Sequence, residues 1–590
     1  MTKFKKMQFP GALIVSAVCF FAFLGSYALM NTNEGVYAGI SRRLMETGNY
    51  IVPRLNGLIY LEKPPMIYWL TALNFNLFGI NEWSARLAPA LAGFLIGLLL
   101  FGFLRHQDRK KDAVWALLIW SSSIGAISCS RVILCDMVLT MFLSVLLVSL
   151  YIYRQNRDQQ GWLYVGYAMA ACALLTKGLL GVALAGMTMF VYIYSEQSEH
   201  RLFSFKRFGS AVKEMFSFFS VIGTVIFLAI ALPWHIAVAQ HDPNFWYYYF
   251  VNEQFLRFMN AREPHDYYNG PIYYYVVRLF GLMLPWVFFL PAFIWREKSQ
   301  DLPRKEQSLE RFCWSWFLAI LVFFSINRAK DHYYIITGMP PLIILFTLRM
   351  RQAKEFIYKK LVFSIFSVLF CMLPLSLLAV WFAPQFLGKL AESHRWAAYL
   401  YAEILPVTDY LEHLVLPVSI AIAACMIGLF VIWYARKHQN IRDYYVWTLA
   451  VFIAVLTTTT VSKFYLFENN YSAKNIIAEI TEKYDKENID LYMYRDFEKI
   501  STTPYYFERP VIVIKSESMD LLYGMNKPDS KPYKITLEDF LKLPTKRPIF
   551  VVMEKPHLED FQEISAQAGF KMWKDYGHRG VFYRDRCIEN

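Results

Sequence analysis

The sequence predicts an all-α polytopic membrane protein that carries a small α/β domain at its C-terminal end. Of its 590 residues, 56% are hydrophobic and only 18% are charged, a balance unlike that of a soluble domain. Apolar runs of about 20 residues recur along the chain, and each is long enough to cross the hydrocarbon core of a bilayer. Residues 462–590 instead alternate short strand-like and helix-like segments.

The first apolar run, residues 9–30, predicts a transmembrane helix with a cytoplasmic N-terminus. It follows the basic stretch "MTKFKK" and no small-x-small cleavage pattern follows it, so a signal peptide is disfavoured. The external loop 31–85 is too polar to span but is rich in aromatic residues. Within it, 34–46 and 65–78 have the pattern of helices that lie in the membrane interface.

Further apolar runs bring the predicted number of transmembrane helices to roughly 13. Every second loop between them is basic, which the positive-inside rule places in the cytoplasm. This distribution explains the formal net charge of +13 without nucleic acid and allows contacts with anionic lipid head groups. An odd number of spans puts the C-terminus outside. The later predicted spans are 86–104, 113–129, 134–153, 161–177, 179–194, 214–234, 271–294, 312–326, 333–348, 361–383, 411–434 and 444–461.

Residues 1–461 are therefore predicted to form the transmembrane domain, and residues 462–590 an external α/β domain. In the latter, "DLYMYR", "PVIVIK" and "PIFVVME" predict short buried strands, while "LEDFLKL" and "LEDFQEISAQAG" predict amphipathic helices. None of the eight cysteines forms a CxxC pair, so neither a disulfide framework nor a zinc finger is predicted.

Polar residues on the predicted external side mark a candidate site, because charged groups at membrane depth are costly and usually serve function. The first group lies in "NTNEGVYA", directly after the opening span, and contains Asn33, Glu34 and Tyr37. Glu34 would be a general base, a metal ligand or simply a helix-start residue favoured by the helix dipole.

The segment "YLEKPPMIYW" places Lys63 on a stiff, proline-bounded stretch beside Tyr60 and Glu62. A fixed ammonium at the interface suits a lipid phosphate; the alternative is a snorkelling lysine paired with Glu62. Arg131 and Asp136 lie at the outer ends of two spans, where a structural salt bridge to another loop is the alternative to a functional role.

Two later external segments are rich in charge and tyrosine. One carries Glu253, Arg257 and His265, and His265 would bind a metal or titrate, although most lone loop histidines do neither. The other is the hairpin "INRAKDHYYIITGMPP". Together the external cations form a ring that opposes the positive-inside trend and predicts anionic head groups as ligands. They are Lys63, Arg131, Lys177, Arg257, Arg328 and Lys330.

These motifs together resemble those of a known superfamily. A [D/N]-E-G-x-Y-A motif, the block "PRLNG…YLEKPP…YW…LFG…EW.ARL", the triplet "TKG" and a "K..YY" outer hairpin are similar to motifs of bacterial lipid-linked-sugar glycosyltransferases of the C-type fold, in the protein-mannosyltransferase-like group. Within that group the chain resembles the lipid A aminoarabinose transferases. The resemblance covers nearly the whole chain.

The resemblance implies both a chemistry and a location. A sugar carried on undecaprenyl phosphate, such as 4-amino-4-deoxy-L-arabinose, would pass with inversion to a phosphate of lipid A or to another envelope acceptor. Transfer would occur at the outer face of the bacterial inner membrane, so the active site and the C-terminal domain would be periplasmic. No nucleotide cofactor is implied, and the sequence carries no G-x-G-x-x-G phosphate loop.

The resemblance also assigns roles to single residues, the Lys63 ammonium being expected to hold the carrier phosphate. Three positions depart from the family pattern: Asn33 replaces a common aspartate, Val36 a frequent arginine, and Gln254 a histidine. The last change weakens the expected divalent metal site at Glu62 and Glu253. The predicted substrate-binding residues are Tyr37, Tyr60, Lys63, Arg131, Arg257, Lys330, Tyr333 and Tyr334.

The acceptor decides whether the reaction needs a base. A hydroxyl needs a carboxylate to take its proton, whereas a phosphate is already ionised near neutral pH. Asn33 therefore fits a phosphate acceptor unless Glu34 or Asp136 is the base, and these three residues are predicted to be catalytic. Transfer to a hydroxyl on protein or glycan, a lipid-sugar transporter and a non-catalytic scaffold stay open as alternatives, although the sequence shows no internal repeat of the kind that transporters carry.

Overall fold

Most of the chain is helical, as its apolar runs predict. The computed structural model describes residues 2–197, 204–259, 261–264, 270–290, 303–352, 411–435, 441–544 and 546–585, with isolated residues between 364 and 390. The α-helices before residue 462 are α1 (Thr2–Phe21), α2 (Asn33–Thr47), α3 (Met66–Phe78), α4 (Glu82–His106), α5 (Lys110–Ser121), α6 (Ile124–Ser130), α7 (Cys135–Gln155), α8 (Gln160–Lys177), α9 (Leu179–Glu196), α10 (Phe205–Phe216), α11 (Val221–His241), α12 (Tyr274–Leu282), α13 (Arg304–Ile326), α14 (Met339–Gln352), α15 (Leu411–Ala435) and α16 (Ile441–Val461).

Six of the described helices are long and apolar enough to cross a membrane, namely α4, α7, α9, α11, α13 and α16. Helices α5 and α6 form a pair bent by 59° that would add a seventh, and apolar stretches of α1 and α15 are shorter. The larger predicted number stays a prediction, because the predicted span 361–383 lies almost entirely outside the described residues.

The bend between α5 and α6 has a local cause. The side chains of Ser122 and Ser123 donate hydrogen bonds to the carbonyls of Leu118 and Ile119, at 2.5 and 2.6 Å. Such back-bonding competes with the helical backbone ladder. The predicted span 113–129 is therefore two helices rather than one.

Both helices predicted within residues 31–85 are present, as α2 and α3, and their position in the membrane interface stays a prediction. Helix α2 ends at Gly48, whose φ of 66° is the left-handed conformation favoured for this position. A small antiparallel hairpin, β1 (Arg54–Leu55) and β2 (Leu58–Ile59), lies between α2 and α3. Its turn is Asn56–Gly57, with φ of 50° and 86°, and this dipeptide is the preferred one for a tight hairpin.

The segment after α16 folds around a six-stranded sheet of order β5-β4-β3-β6-β8-β7. Strands β3, β4, β5 and β6 are parallel to one another, and β8 and β7 continue the sheet antiparallel. The strands are β3 (Asp490–Tyr494), β4 (Ile512–Ile514), β5 (Lys534–Ile535), β6 (Ile549–Glu554), β7 (Lys571–Asp575) and β8 (Arg579–Arg584). The helices are α17 (Glu468–Tyr471), α18 (Lys474–Lys483), α19 (Thr503–Phe507), α20 (Leu522–Met525), α21 (Leu537–Leu541) and α22 (Leu558–Ser565).

The three predicted strands are β3, β4 and β6, and the two predicted amphipathic helices are α21 and α22. Strand β5, of two residues, is an addition to the prediction, as are β7 and β8. Their pattern differs, because β8 is buried along most of its length whereas β7 lies at the sheet edge with four of its five residues exposed. An exposed edge strand needs no apolar run.

The sheet domain is joined to the start of α2 by hydrogen bonds. The side-chain oxygen of Asn31 accepts from the backbone N–H and the hydroxyl of Thr502, at 3.0 and 2.6 Å. The Asn31 N–H donates to the carbonyl of Tyr471, and the Thr32 N–H to that of Glu498. The first external motif is thus held in place by the C-terminal domain.

Candidate active site

A polar cavity of about 630 Å³ lies between the external loops and the C-terminal domain. The start of α2, the E-K-P block, the facing ends of α7 and α8, and the 328–334 hairpin form its walls. Loops that follow β3 and β4 complete it. Its lining includes Asn33, Tyr37, Tyr60, Glu62, Lys63, Asp136, Lys177, Arg257, Arg262, Arg278, Lys330, Asp331, Tyr333, Tyr334, Glu498, Lys499 and Asp520.

A second cavity of about 280 Å³ opens from the same place. The two cavities share the side chains Glu62, Lys63, Lys177, Arg257 and Tyr334. Beyond these the second cavity is mostly apolar, although Glu253, Gln254 and Asn327 also line it. Its apolar walls are Pro64, Leu179, Leu180, Ala183, Phe250, Phe255, Phe258, Phe323 and Phe324. The polar cavity and the second, mostly apolar cavity therefore meet at a group of cationic side chains.

Lys63 and Arg257 are the most informative cations at this junction. The Lys63 ammonium lies 3.9 Å from the Glu62 carboxylate, and the Arg257 guanidinium 3.5 Å from that of Glu253. Burial lowers the pKa of Lys63 below its ordinary value, and the nearby Arg257 guanidinium lowers it further. A shared anion would relieve this repulsion.

Asp136 and Lys177 form a tight pair on the opposite wall. The Lys177 ammonium lies 2.5 Å from the Asp136 carboxylate and 4.0 Å from the centre of the Tyr334 ring. Asp136 begins α7, where the helix dipole favours an anion. Lys177 ends α8 at Gly178, whose φ of 68° and contact with Gln254 leave no room for a side chain. The "TKG" triplet thus fixes the pair.

Asn33 is the first residue of α2, half-buried on the wall of the polar cavity. Its side-chain amide has no hydrogen-bond partner among the described residues, so it is available to a ligand. Tyr37, one turn later and 6% exposed, lines the same wall. The structure therefore brings Asn33, Tyr37 and Asp136 to one cavity, as the motif predicts.

The predicted catalytic role of Glu34 does not fit its position. Glu34 is fully buried and lies outside both cavities. Its carboxylate accepts two hydrogen bonds from the Arg86 guanidinium, at 2.8 and 2.7 Å, and others from the backbone N–H groups of Met30 and Ile133. A carboxylate so fully occupied stabilises the fold and takes no proton from a substrate.

Arg131 likewise lies outside the cavities, contrary to its predicted role in substrate binding. Its guanidinium donates to the carbonyls of Cys19, Phe20 and Ala22 at the end of α1. Cations commonly satisfy the free carbonyls at a helix C-terminus. Arg131 is therefore a capping residue and leaves the external ring of cations.

Glu62 and Glu253 do lie together, as the metal prediction requires, but a guanidinium lies between them. Arg262 is 2.7 Å from Glu253 and 2.9 Å from Glu62. Among the described residues no group of three His, Cys, Asp or Glu side chains could hold a metal ion. Since Arg262 already neutralises the two carboxylates, the geometry does not fit a metal held by them. His265, which the sequence left open as either a metal-binding or an ordinary loop histidine, lies outside the described residues.

The outer hairpin carries Lys330, Tyr333 and Tyr334, and all three line the polar cavity. The Lys330 ammonium donates to the carbonyls of Phe324 and Ser325, at 2.6 and 2.9 Å. This contact holds the hairpin against the end of α13. Tyr60, 4% exposed, lines the cavity beside Glu62, with its hydroxyl 3.4 Å from that carboxylate.

Several residues of the site do not follow from the motifs. Arg86 is part of the "EW.ARL" pattern, but only the fold shows that it pairs with Glu34. Glu498, Lys499 and Asp520 come from the C-terminal domain. The signal for them is positional, since they follow the predicted strands "DLYMYR" and "PVIVIK", and loops at the carboxyl ends of parallel strands carry ligand sites.

Comparison with known proteins gives a consistent result. Residues 62–236 match the family model described as dolichyl-phosphate-mannose-protein mannosyltransferase. An undecaprenyl phosphate-alpha-4-amino-4-deoxy-L-arabinose arabinosyl transferase of Serratia proteamaculans is 29% identical over 348 residues, 57% of this chain and 58% of that protein. The chain thus spans less than two thirds of this relative's length. The enzyme of the same name from Aeromonas salmonicida is 26% identical over 87% of both chains.

The fold extends this likeness over nearly the whole chain. The crystal structure of ArnT from Cupriavidus metallidurans bound to undecaprenyl phosphate superposes with a TM-score of 0.74, covering 99% of this chain and 98% of that one at 23% identity. The apo form of the same protein gives 0.71. Residues 62–236 thus match the protein-mannosyltransferase family model by sequence, and nearly the whole chain shares its fold with ArnT.

Proposed function

We propose that this protein is an inverting glycosyltransferase that moves an amino sugar, such as 4-amino-4-deoxy-L-arabinose, from undecaprenyl phosphate to a phosphate of lipid A. The names of its relatives supply the donor and the sugar. The observation that carries the proposal is the meeting of the apolar and polar cavities at Lys63, Lys177 and Arg257. A lipid phosphate has the same two-part character.

In this arrangement the prenyl chain occupies the apolar cavity and its phosphate lies against Lys63 and Arg257. Departure of the sugar leaves an additional negative charge on that phosphate. Two fixed cations in a partly dehydrated site stabilise the charge as it forms. The phosphate also relieves the mutual repulsion of the two cations, so donor binding and transition-state stabilisation use the same pair.

The state of the carboxylates supports a phosphate acceptor. Asp136 is held by Lys177 at 2.5 Å, and Glu62 by Arg262 at 2.9 Å. A carboxylate held by a cation in this way is not free to approach the proton of a substrate hydroxyl. At the position where the family pattern commonly carries an aspartate, this chain has Asn33. An ionised phosphate acceptor needs none of them as a base, whereas a hydroxyl acceptor would.

The far side of the polar cavity offers cations for that acceptor. Arg278, Lys330 and Lys499 line it away from the junction with the apolar cavity. Lys and Arg side chains are the usual partners of phosphate groups. The acceptor would thus approach from the side on which the outer hairpin and the C-terminal domain meet.

The protein is a multi-pass protein of the bacterial inner membrane in this proposal. The basic loops between spans face the cytoplasm, and the cavity and C-terminal domain face the periplasm. The undecaprenyl-linked donor and lipid A would meet there, in contact with surrounding membrane lipids. Nucleic acid has no part in the reaction.

Mass spectrometry of lipid A tests the proposal. Cells that express the gene should show lipid A heavier by one amino sugar on a phosphate, and cells that express Lys63→Ala should not. Lys542→Ala, at an exposed lysine directly after α21, is the matched control and should behave as the unmodified protein. Unmodified lipid A together with a newly glycosylated protein or polymer would favour a hydroxyl acceptor instead.

A further inference from the structure

The wall of the polar cavity opposite the membrane helices belongs to the C-terminal domain. Glu498 and Lys499 follow β3, and Asp520 lies in the loop after β4. Strand β3 lies between β4 and β6, so the chain crosses the sheet in opposite directions from β3. In open α/β sheets, ligands bind at the carboxyl ends of the strands next to such a reversal.

The two carboxylates of this wall differ in how they are held. The Glu498 carboxylate accepts hydrogen bonds from the Ser518 hydroxyl and the Asp520 backbone N–H, at 2.6 and 3.0 Å. It therefore shapes the loop. The Asp520 side chain is half-buried and forms no ion pair or hydrogen bond with the described residues. It presents an uncompensated carboxylate to the cavity.

The surroundings of Asp520 would be stabilised by a cation. Burial raises the pKa of Asp520 well above its ordinary value, and the carboxylates of Glu62 and Glu498 raise it further. Lys63 and Arg262 act in the opposite direction but do not outweigh them. A positive group placed beside Asp520 would reverse this penalty.

We propose that Asp520 binds the ammonium group of the donor's amino sugar and so selects an amino sugar over a neutral one. This inference rests on the proposed function, because it takes Lys63 and Arg257 as the site of the carrier phosphate. Asp520, Tyr60 and Lys63 line the same polar cavity. A sugar attached to the phosphate at Lys63 therefore lies in the space that Asp520 and Tyr60 border.

The arrangement distinguishes an amino sugar from a neutral sugar by whether Asp520 has a charged partner after the donor binds. An ammonium group pairs with the carboxylate, whereas a neutral substituent covers it and leaves it unpaired. Leaving a charged group without its partner in a closed site commonly costs a factor of about 10 to 100 in affinity. The C-terminal domain thereby selects the sugar through Asp520, while Lys63 and Arg257 of the transmembrane domain bind the phosphate.

The purified full-length protein tests this with two donors and one binding assay. The donors are undecaprenyl phosphate carrying 4-amino-4-deoxy-L-arabinose and the same compound with its amine formylated, which removes the positive charge. Transfer to lipid A is measured for each donor, and thermal stabilisation by sugar-free undecaprenyl phosphate reports on the carrier site. The variants are Asp520→Asn and, as a matched control, Asp560→Asn at an exposed position of α22.

We expect Asp520→Asn to raise the KM for the amine donor by about 10- to 100-fold. The preference of the unmodified protein for the amine donor should shrink by the same factor. Stabilisation by sugar-free carrier should stay unchanged, and Asp560→Asn should alter none of these quantities.

Two results would overturn the inference while the proposed function stands: an unchanged KM for the amine donor, or an equal loss with both donors. If the unmodified protein binds the carrier but transfers neither sugar to lipid A, the proposed function itself is wrong and the inference falls with it.

Discussion

Two buried acid–base pairs lie on either side of Asn33, and they serve different ends. Glu34 and Arg86 are both fully buried, and each also bonds to backbone groups of the loops around it. Asp136 and Lys177 are similarly close but line the polar cavity. Pairing alone therefore does not distinguish a structural charge from a functional one.

The cations differ in what surrounds those of their hydrogen-bond donors that do not contact a carboxylate. The Arg86 guanidinium donates hydrogen bonds to the Glu34 carboxylate and to the carbonyls of Leu24, Tyr27 and Ala28. The Arg131 guanidinium likewise donates hydrogen bonds to backbone carbonyls at the end of α1. Among the described residues Lys63 instead has one distant carboxylate, that of Glu62 at 3.9 Å, and it faces both cavities. Arg86 and Arg131 lie outside both cavities and are structural, whereas Lys63 faces both cavities and is the cation that we assign to the carrier phosphate.

The largest expected effect is that of Lys63→Ala on transfer. Removing a fixed positive charge from the leaving phosphate should reduce transfer by about 100- to 1,000-fold. The fold should persist, because Lys63 lines a cavity. Transfer is measured with purified protein, and the melting temperature in detergent serves as the control. A variant that keeps more than a tenth of its activity would place the phosphate elsewhere.

Replacement of the same lysine by arginine sharpens this test through pH. The pKa of Lys63 is lowered by burial first and by Arg257 next, so its charge is lost at a lower pH than that of an ordinary lysine. Arginine keeps its charge throughout the range. We expect the alkaline loss of transfer to move to higher pH in Lys63→Arg. An unmoved profile would mean that another group titrates.

Glu34→Gln should affect stability more than chemistry. Breaking one partner of a buried ion pair typically costs about 3–5 kcal/mol because the other charge stays uncompensated. We expect a lower melting temperature and less folded protein in the membrane, with transfer per folded molecule close to normal. Inactive but normally stable Glu34→Gln protein would restore Glu34 as a catalytic residue.

Asp136→Asn tests the second pair and should have a smaller effect on stability. Lys177 would lose its partner but still contact the Tyr334 ring and the open cavity, where water or a ligand anion can reach it. We expect a loss of transfer of about 10- to 100-fold from misplacement of Lys177. A melting temperature that falls as far as that of Glu34→Gln would instead make this pair structural as well.

Asn33→Asp should have the smallest effect. A new carboxylate beside two phosphates would repel the acceptor, and about 1 kcal/mol of repulsion reduces transfer by about fivefold. The measurement is the rate of transfer to lipid A at fixed donor concentration, with Asn33→Ala as the companion variant. Increased transfer in Asn33→Asp would show that the reaction uses a base at this position.

The sequence predicted the fold best where a local pattern was enough. Helices α2 and α3 and strands β3, β4 and β6 follow from their own periodicity. The break between α5 and α6 depends on two serines whose hydroxyls hydrogen-bond to backbone carbonyls of the helix. A search for long apolar runs does not detect such a break. Strand β7 was missed because an edge strand carries no buried run.

The site was predicted less completely, and for a physical reason. The motif placed Asn33, Lys63, Asp136 and Arg257 near one another correctly. The motif could not show which charged side chains are already bound to other groups of the protein. The partner of Glu34 lies 52 residues away in the sequence, and the carbonyls bound by Arg131 lie about 110 residues away. Only the three-dimensional structure separates these residues from those that face a ligand.

The hydrogen bonds of Asn31 also constrain how the protein is made. Its partner Thr502 is 471 residues further along the chain. A ribosome that has just released the first helices into the membrane has therefore not yet synthesised the residues that hold the adjoining motif in position. The cavity becomes complete only after residues 498–520 have been synthesised, so a chain that stops before them lacks one wall of the cavity.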